Sequence, residues 1–233
     1  MDRSDQRGHR QPVATATRRS LHAVAETLLA GPQWRRSGTI RLAVVPGGFG
    51  TIEESGAAVV GDRLVLRRDG RSFKLEGTLG QLAELAGLPF GAPEGAYPTG
   101  GALASDPVTV DNDWAAVIAD AFAVGDRALR AFSDTADRTE TAAPGTQDGA
   151  PVRPEPVLWP EHFDLAITLD AVNYGVSPGD DHIGEPYAYV GPWERKTGPF
   201  WDQPFGAART LDTLTGEAGL VAFFQQGRTL AAS

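Results

Sequence analysis

The chain has 233 residues, a net charge of −9 and no cysteine. Its length allows one large domain or two small ones, and the missing cysteine excludes disulfides, cysteine-ligated zinc and thiol nucleophiles. The acidic balance predicts neither nucleic acid nor a membrane surface as partner, because phosphate groups and anionic lipids bind basic surfaces.

The first thirty residues divide into a polar segment without periodicity and a segment with helical periodicity. Residues 1–16 are polar, contain several arginines and have no period, so they predict a disordered tail. Residues 17–30 have helical periodicity and predict a helix that ends at Gly31. An Arg-Arg pair there superficially resembles an export signal, but His22 and Glu26 interrupt the apolar core that such a signal needs, so we expect a cytoplasmic protein. His22 is interpreted as a structural residue.

The next segment predicts a small sheet followed by a helix. Residues 39–45 alternate between apolar and polar side chains, as a half-buried strand does. Residues 46–50 are rich in glycine but precede no helix, so they predict a turn and not a phosphate cradle. Residues 57–76 predict a three-strand meander, and Thr78 begins a capping box whose helix ends at Gly87.

The longest helical pattern, residues 111–132, carries one apolar stripe and predicts a core helix. Residues 134–156 are rich in Thr, Ala, Gly and Pro and predict a flexible linker. The linker divides the chain into an N-terminal half, 17–133, and a C-terminal half, 157–233, which could also form one domain.

The C-terminal half predicts two strands and a closing helix. Residues 163–170 alternate strictly, residues 186–190 form a second short strand, and residues 215–230 have a helical apolar face. Together the two halves predict an α+β fold with a mostly antiparallel sheet flanked by helices.

An order of elements recurs in the two halves. Each runs helix, strand, glycine-containing loop, further strand or strands, and helix. The recurrence predicts two pseudo-repeated halves, although this order is common enough for chance to explain it.

Several motifs carry a resemblance. They are Leu21-His22, TIRLAVVPGGF, VGDRLVLRRDG, HFDLAI, VNYGVSPGD and EPYAYVGPW. With the preference for Arg over Lys, these motifs resemble a family of uncharacterised actinobacterial proteins over residues 21–230. The resemblance implies no activity.

One stretch, residues 159–205, predicts a ligand site. It contains nine of the nineteen aromatic residues, and no Lys or Arg occurs between Pro154 and Glu194. Aromatic rings beside carboxylates can line a small-molecule pocket or surround a cation. The predicted ligand-binding residues are Asn173, Tyr174, Tyr187, Tyr189, Trp193 and Trp201.

Two polar clusters in this stretch predict chemistry. If Phe163 faces the core, His162 and Asp164 share the opposite face of a strand and could form a histidine–carboxylate pair for acid–base catalysis. A second cluster could hold a divalent metal, although its spacing matches no established metal-binding motif. Its members are Asp180, Asp181, His182 and Glu185.

Three functions therefore stay open. The first is a small-molecule-binding protein with an aromatic, acidic pocket. The second is an enzyme that uses His162 and Asp164, with a divalent metal as a candidate cofactor. The third is a protein–protein interaction module with exposed aromatic residues. The sequence does not decide among them and leaves the oligomeric state open.

Overall fold

A computed structural model describes residues 3–136 and 153–233, which fold into one sheet with helices packed against it. The strands are β1 (Leu42–Val45), β2 (Gly48–Thr51), β3 (Ala57–Val60), β4 (Arg63–Leu66), β5 (Ser72–Lys74), β6 (Val157–Trp159), β7 (Asp164–Leu169), β8 (Val172–Ser177), β9 (Tyr187–Pro192) and β10 (Ala207–Thr210). The helices are α1 (Arg3–Val24), α2 (Gly31–Ser37), α3 (Leu79–Ala86), α4 (Asn112–Ala136) and α5 (Gly216–Ala231), with a π-helical turn at Ala25–Ala30 and a 3-10 turn at Leu211–Thr213.

The two halves of the chain share this sheet. The ten strands follow the order β10-β9-β8-β7-β6-β1-β2-β3-β4-β5. Every pairing is antiparallel, and the halves meet where Leu42 of β1 lies opposite Leu158 of β6. The predicted α+β class with an antiparallel sheet is therefore confirmed. Each half contributes five consecutive strands, but their origin by duplication stays a prediction.

The N-terminal helix differs from its prediction at both ends. Residues 3–16, predicted to be disordered, belong to α1. Gly31 does not end the helical stretch, which continues through the π-helical turn and α2 to Gly38, a left-handed residue with φ of 69°. Pro32 is compatible with this continuation because it lies in the first turn of α2. Residues in the first turn of a helix do not use their backbone N–H in a helical hydrogen bond, so proline loses none there. Most of the predicted linker 134–156 lies outside the described residues.

Strand β8 was predicted as part of a glycine-containing loop. Asp170 and Ala171 form its two-residue hairpin turn with β7, with φ of 54° and 57°. Such turns usually contain glycine or asparagine, so an Asp-Ala turn gives a weak sequence signal. Strands β6 and β10 were also not predicted, because each is short. Residues 46–50 were predicted as a turn, but Gly48–Thr51 form β2 and pair with both β1 and β3, and the two glycines in this segment hid the strand pattern.

Helices α4 and α5 cover one face of the C-terminal half of the sheet. The Tyr174 ring of β8 is fully buried, with its centroid 4.6 Å from that of Phe132 and 6.0 Å from that of Phe224. Gly125 of α4 permits the close approach, because a Cβ at that position would lie 2.9 Å from the Val176 side chain. Tyr174 therefore belongs to the core and is not the ligand-binding residue that the sequence predicted.

The opposite face of the same strands is polar. Because strand side chains alternate, Asn173 and Gly175 point away from the face that carries Tyr174. Asp164 and Tyr189 lie on this second face through the pairing of β7, β8 and β9. The C-terminal half of the sheet therefore has an apolar face against the helices and a polar face away from them. None of the described helices combines the length and apolar character needed to cross a membrane.

The burial of Tyr174 leads to a stability prediction. Its hydroxyl oxygen is buried and has no hydrogen-bond partner. Tyr174→Phe should leave the free energy of unfolding unchanged or raise it by up to about 1 kcal/mol, because it removes an unpaired polar group. Tyr174→Ala should lower it by about 3–5 kcal/mol through the cavity that it creates. Urea unfolding of the two variants checks this, and equal destabilisation by both would contradict the core assignment.

Candidate functional site

A cleft of about 900 Å³ opens on the polar face of β7, β8 and β9. Helix α1 forms one side of it, although α1 lies far from these strands along the chain. The cleft is lined by Arg18, Arg19, His22, Glu161, His162, Phe163, Asp164, Asn173, Ser177, Gly179, Asp180, Asp181, His182, Tyr187, Tyr189, Gly191, Pro192, Trp193 and Phe205.

Most of the predicted site residues meet in this cleft. Those that line it are His162, Asp164, Asn173, Asp180, Asp181, His182, Tyr187, Tyr189 and Trp193. Three predicted residues lie elsewhere. Tyr174 is in the core, Trp201 lines a separate cleft beside Phe200, and Glu185 lies in a groove beside α4. They were grouped with the site because they are near it in sequence, but the fold separates them.

Three aromatic rings form one wall of the cleft. The ring centroid of Tyr187 lies 6.4 Å from that of Tyr189 and 6.5 Å from that of Phe205, and Tyr189 and Phe205 are 6.4 Å apart. Gly175 makes room for this wall, because a Cβ there would lie 2.6 Å from atoms of the Tyr189 ring. Trp193, at the mouth of the cleft, is 69% exposed. An exposed Trp beside stacked rings is typical of a surface that receives a ligand.

Asp164 is a buried carboxylate at the base of this wall. Only 8% of the residue is exposed. The Tyr189 hydroxyl donates a hydrogen bond to Oδ2, while Oδ1 is buried and has no partner among the residues that the structure describes. Burial raises the pKa of Asp164, opposed by the Tyr189 hydrogen bond and by the nearby His162, and Glu161 raises it further. The pKa of Tyr189 is raised by its own burial and by the negative charge of Asp164.

The predicted His162–Asp164 pair does not form. Residues 160–163 make the turn between β6 and β7, and Phe163 has a left-handed backbone with φ of 51°. The strand begins only at Asp164, so alternation does not place His162 on the same face. Both side chains line the cleft, but no hydrogen bond or ion pair joins them, and Asp164 is bonded to Tyr189 instead. The predicted pair required a strand that includes His162, which lies two residues before the first residue of β7.

His22 of α1 also lines the cleft, and the sequence analysis interpreted it as structural. Its Nε2 donates to the carbonyl of Pro160 at 2.7 Å, and its ring stacks on Phe163 with centroids 5.3 Å apart. Burial lowers the pKa of His22 and favours the neutral ring, although the Pro160 carbonyl opposes this shift. These contacts fix α1 against the β6–β7 turn, so His22 has a structural role at the edge of the site.

Asp180 organises the loop between β8 and β9. Its Oδ1 accepts hydrogen bonds from the backbone N–H groups of His182 and Ile183, both at 2.6 Å, and its Oδ2 accepts one from the Tyr187 hydroxyl at 2.7 Å. Burial acts to raise the pKa of Asp180, but these hydrogen bonds outweigh it and lower the pKa. The carboxylate is therefore committed to holding the loop and the aromatic wall together.

The four predicted metal ligands do not form one set. Asp181 forms ion pairs with Arg18 and Arg19, each at 3.1 Å, and Glu185 points into a different groove. In the part of the chain that the structure describes, no group of three or more His, Cys, Asp or Glu residues is arranged to hold a metal ion. The predicted divalent metal therefore has no support in this geometry.

Ten of the nineteen lining residues were not predicted as site residues, and four of these are informative. Arg18 and Arg19 were read as part of an N-terminal helix, Ser177 as a turn residue, and Phe205 as one of several aromatic residues. The only available signal for the arginines was their position one turn before His22 on the same helix. Their ion pairs with Asp181 form only in the tertiary structure, and no local sequence pattern predicts them.

Comparisons with protein-family models, with curated proteins and with solved structures returned no match for this chain. The resemblance to an actinobacterial family therefore stays a prediction. Function has to be argued from the cleft itself.

The pKa of Asp164 predicts a pH dependence of stability. Because its pKa in the folded state is raised above the unfolded value of about 3.9, the native state binds this proton more tightly. The contribution of Asp164 to the free energy of unfolding should therefore fall as pH rises from about 3.9 through the raised pKa. Asp164→Asn should lack this loss, so its stability relative to the wild type should increase with pH.

Urea unfolding of both proteins across this pH range measures the difference. A stability difference that does not change with pH would contradict the assignment of a raised pKa to Asp164.

Proposed function

We propose that this protein binds a small organic molecule in the cleft between α1 and the polar face of β7, β8 and β9. The observation that carries the proposal is the buried Oδ1 atom of Asp164, which lacks a partner beneath a wall of aromatic rings. A buried polar atom without a hydrogen bond costs about 1–3 kcal/mol, and such atoms are rare in native proteins. A ligand that donates a hydrogen bond to Oδ1 would remove this free-energy cost, which explains why an unpaired oxygen is present in the cleft.

The shape of the cleft supports a small ligand. Its volume of about 900 Å³ is within the usual range of roughly 300–1,000 Å³ for small-molecule pockets. Its aromatic residues line a concave surface, whereas a protein-docking site usually presents a larger and flatter apolar patch. The interaction-module hypothesis therefore has less support than ligand binding.

Acid–base catalysis also has less support than binding. The predicted enzyme depended on a histidine oriented by Asp164, and Asp164 is bonded to Tyr189 instead of His162. Because Asp164 is bonded to Tyr189, the geometry of the cleft favours binding over the acid–base chemistry predicted for His162 and Asp164.

A thermal-shift screen with Trp193→Ala tests the proposal. The panel consists of flat organic metabolites of positive, neutral and negative charge. A ligand at about 100 times its Kd adds about 2.7 kcal/mol to the free energy of unfolding, which should raise the Tm by roughly 5–10 °C for a chain of this size. Trp193→Ala should reduce the shift, because it removes the exposed ring at the mouth of the cleft.

Leu103→Ala is the matched control. Leu103 is 62% exposed, comparable to the 69% of Trp193, but it does not line the cleft. Its variant should keep the full ligand-induced shift. The proposal fails if no compound in the panel raises the Tm, or if Leu103→Ala and Trp193→Ala reduce the shift equally.

A further inference from the structure

The charges that line the cleft do not balance. Two arginines face four carboxylates, so the lining is net negative when all six groups are ionised. Arg18 and Arg19 both form ion pairs with Asp181, and the nitrogen–oxygen distance is 3.1 Å in each. The excess negative charge therefore resides on the remaining carboxylates, and Asp180 is already satisfied by backbone N–H groups and by the Tyr187 hydroxyl.

The two other carboxylates are Glu161 and Asp164, and Oδ2 of Asp164 accepts a hydrogen bond from the Tyr189 hydroxyl. Each still has one buried oxygen with no hydrogen-bond donor among the described residues, Oε2 in Glu161 and Oδ1 in Asp164. Neither residue takes part in an ion pair within the described residues. An ionised carboxylate only accepts hydrogen bonds, so when Glu161 and Asp164 are ionised these two oxygens have no donor among the described residues.

The aromatic wall adds a second attraction for the same kind of ligand. The faces of Tyr and Trp rings carry a negative quadrupole that attracts ammonium groups, and the attraction is stronger in a desolvated site. Tyr189 brings the two features together, because its hydroxyl is bonded to Asp164 and its ring packs beside Phe205. A cation next to Asp164 would therefore also lie beside the aromatic wall.

We propose that the ligand of this cleft is an organic cation with an N–H donor, a primary or secondary ammonium attached to an apolar or aromatic group. Its ammonium group donates to Oδ1 of Asp164, and its apolar part lies against the rings of Tyr189 and Phe205. This inference rests on the proposed binding function and adds the ligand class. The direction of the Asp164 pKa shift agrees with this proposal, because burial without a counterion raises the pKa of a carboxyl group.

Three ring-matched probes test the ligand class. They are 2-phenylethylammonium, 2-phenylethanol and 3-phenylpropanoate, which share a phenyl ring and a short chain but carry positive, zero and negative charge. Isothermal titration calorimetry on the full chain at neutral pH measures their affinities. We expect the ammonium to bind at least about ten times more tightly than the alcohol, with the propanoate weakest, because a charge-assisted hydrogen bond adds to a shared apolar contact.

Asp164→Asn tests the residue. The amide has nearly the same shape and can still accept the Tyr189 hydrogen bond, but it has no charge, so the preference for the ammonium over the alcohol should disappear. Leu103→Ala serves again as the control that keeps the preference. If Asp164→Asn does not fold by circular dichroism, Trp193→Ala provides the second variant, and it should weaken all three probes without changing their order.

The outcomes separate this inference from the proposed function. Binding of the alcohol or the propanoate as tight as that of the ammonium overturns the ligand class and leaves small-molecule binding in place. A preference for the ammonium that survives in Asp164→Asn overturns the assignment to Asp164. No binding of the ammonium, in a protein that does bind another compound of the metabolite panel, also overturns the ligand class. No binding of any probe or panel compound overturns both proposals.

Discussion

The alternation of side chains along β8 is the constraint on which the rest of the site depends. Tyr174 and Val176 point toward α4 and α5 and complete the core, so their neighbours must point the other way. Pairing in register with β7 and β9 then brings Asp164 and Tyr189 onto that second face. The same strands that bury the core therefore present the polar and aromatic groups of the cleft.

A few specific residues determine which polar and aromatic groups this second face presents. Gly175 has no side chain, so the Tyr189 ring can lie over it. The ring then reaches Asp164 with its hydroxyl and leaves the other carboxylate oxygen without a donor. Such an arrangement reduces stability in the absence of a ligand, and sites of this kind are often found where a protein binds its partner or substrate. Asp164 is for this reason the centre of both functional proposals.

Helix α1 completes the site from a distant part of the sequence. Arg18 and Arg19 reach Asp181 across more than 160 residues of chain, and His22 donates to the carbonyl of Pro160. These contacts close one side of the cleft, and the two arginines form ion pairs with Asp181. As a result the unpaired negative charge is concentrated on Glu161 and Asp164, where the aromatic wall begins.

Much of this architecture could be read from the sequence, because its signals are local. Periodicity predicted α3, α4, α5 and the strands from β3 to β5, and the capping box at Thr78 forms as expected. Composition identified residues 159–205, which supply most of the cleft, and nine of the twelve predicted site residues line it. What the sequence alone determined was therefore the class of fold, the segment that carries the site and its aromatic and acidic character.

The tertiary structure decided which side chains of that segment meet. Tyr174 was assigned to the core, Glu185 and Trp201 to other surfaces, and Asp164 to Tyr189 instead of His162. The physical reason is that face and partner depend on where a strand begins and on what packs against it. The left-handed turn at Phe163 and the approach of α1 are set by contacts between residues far apart in the chain, and no local pattern encodes them.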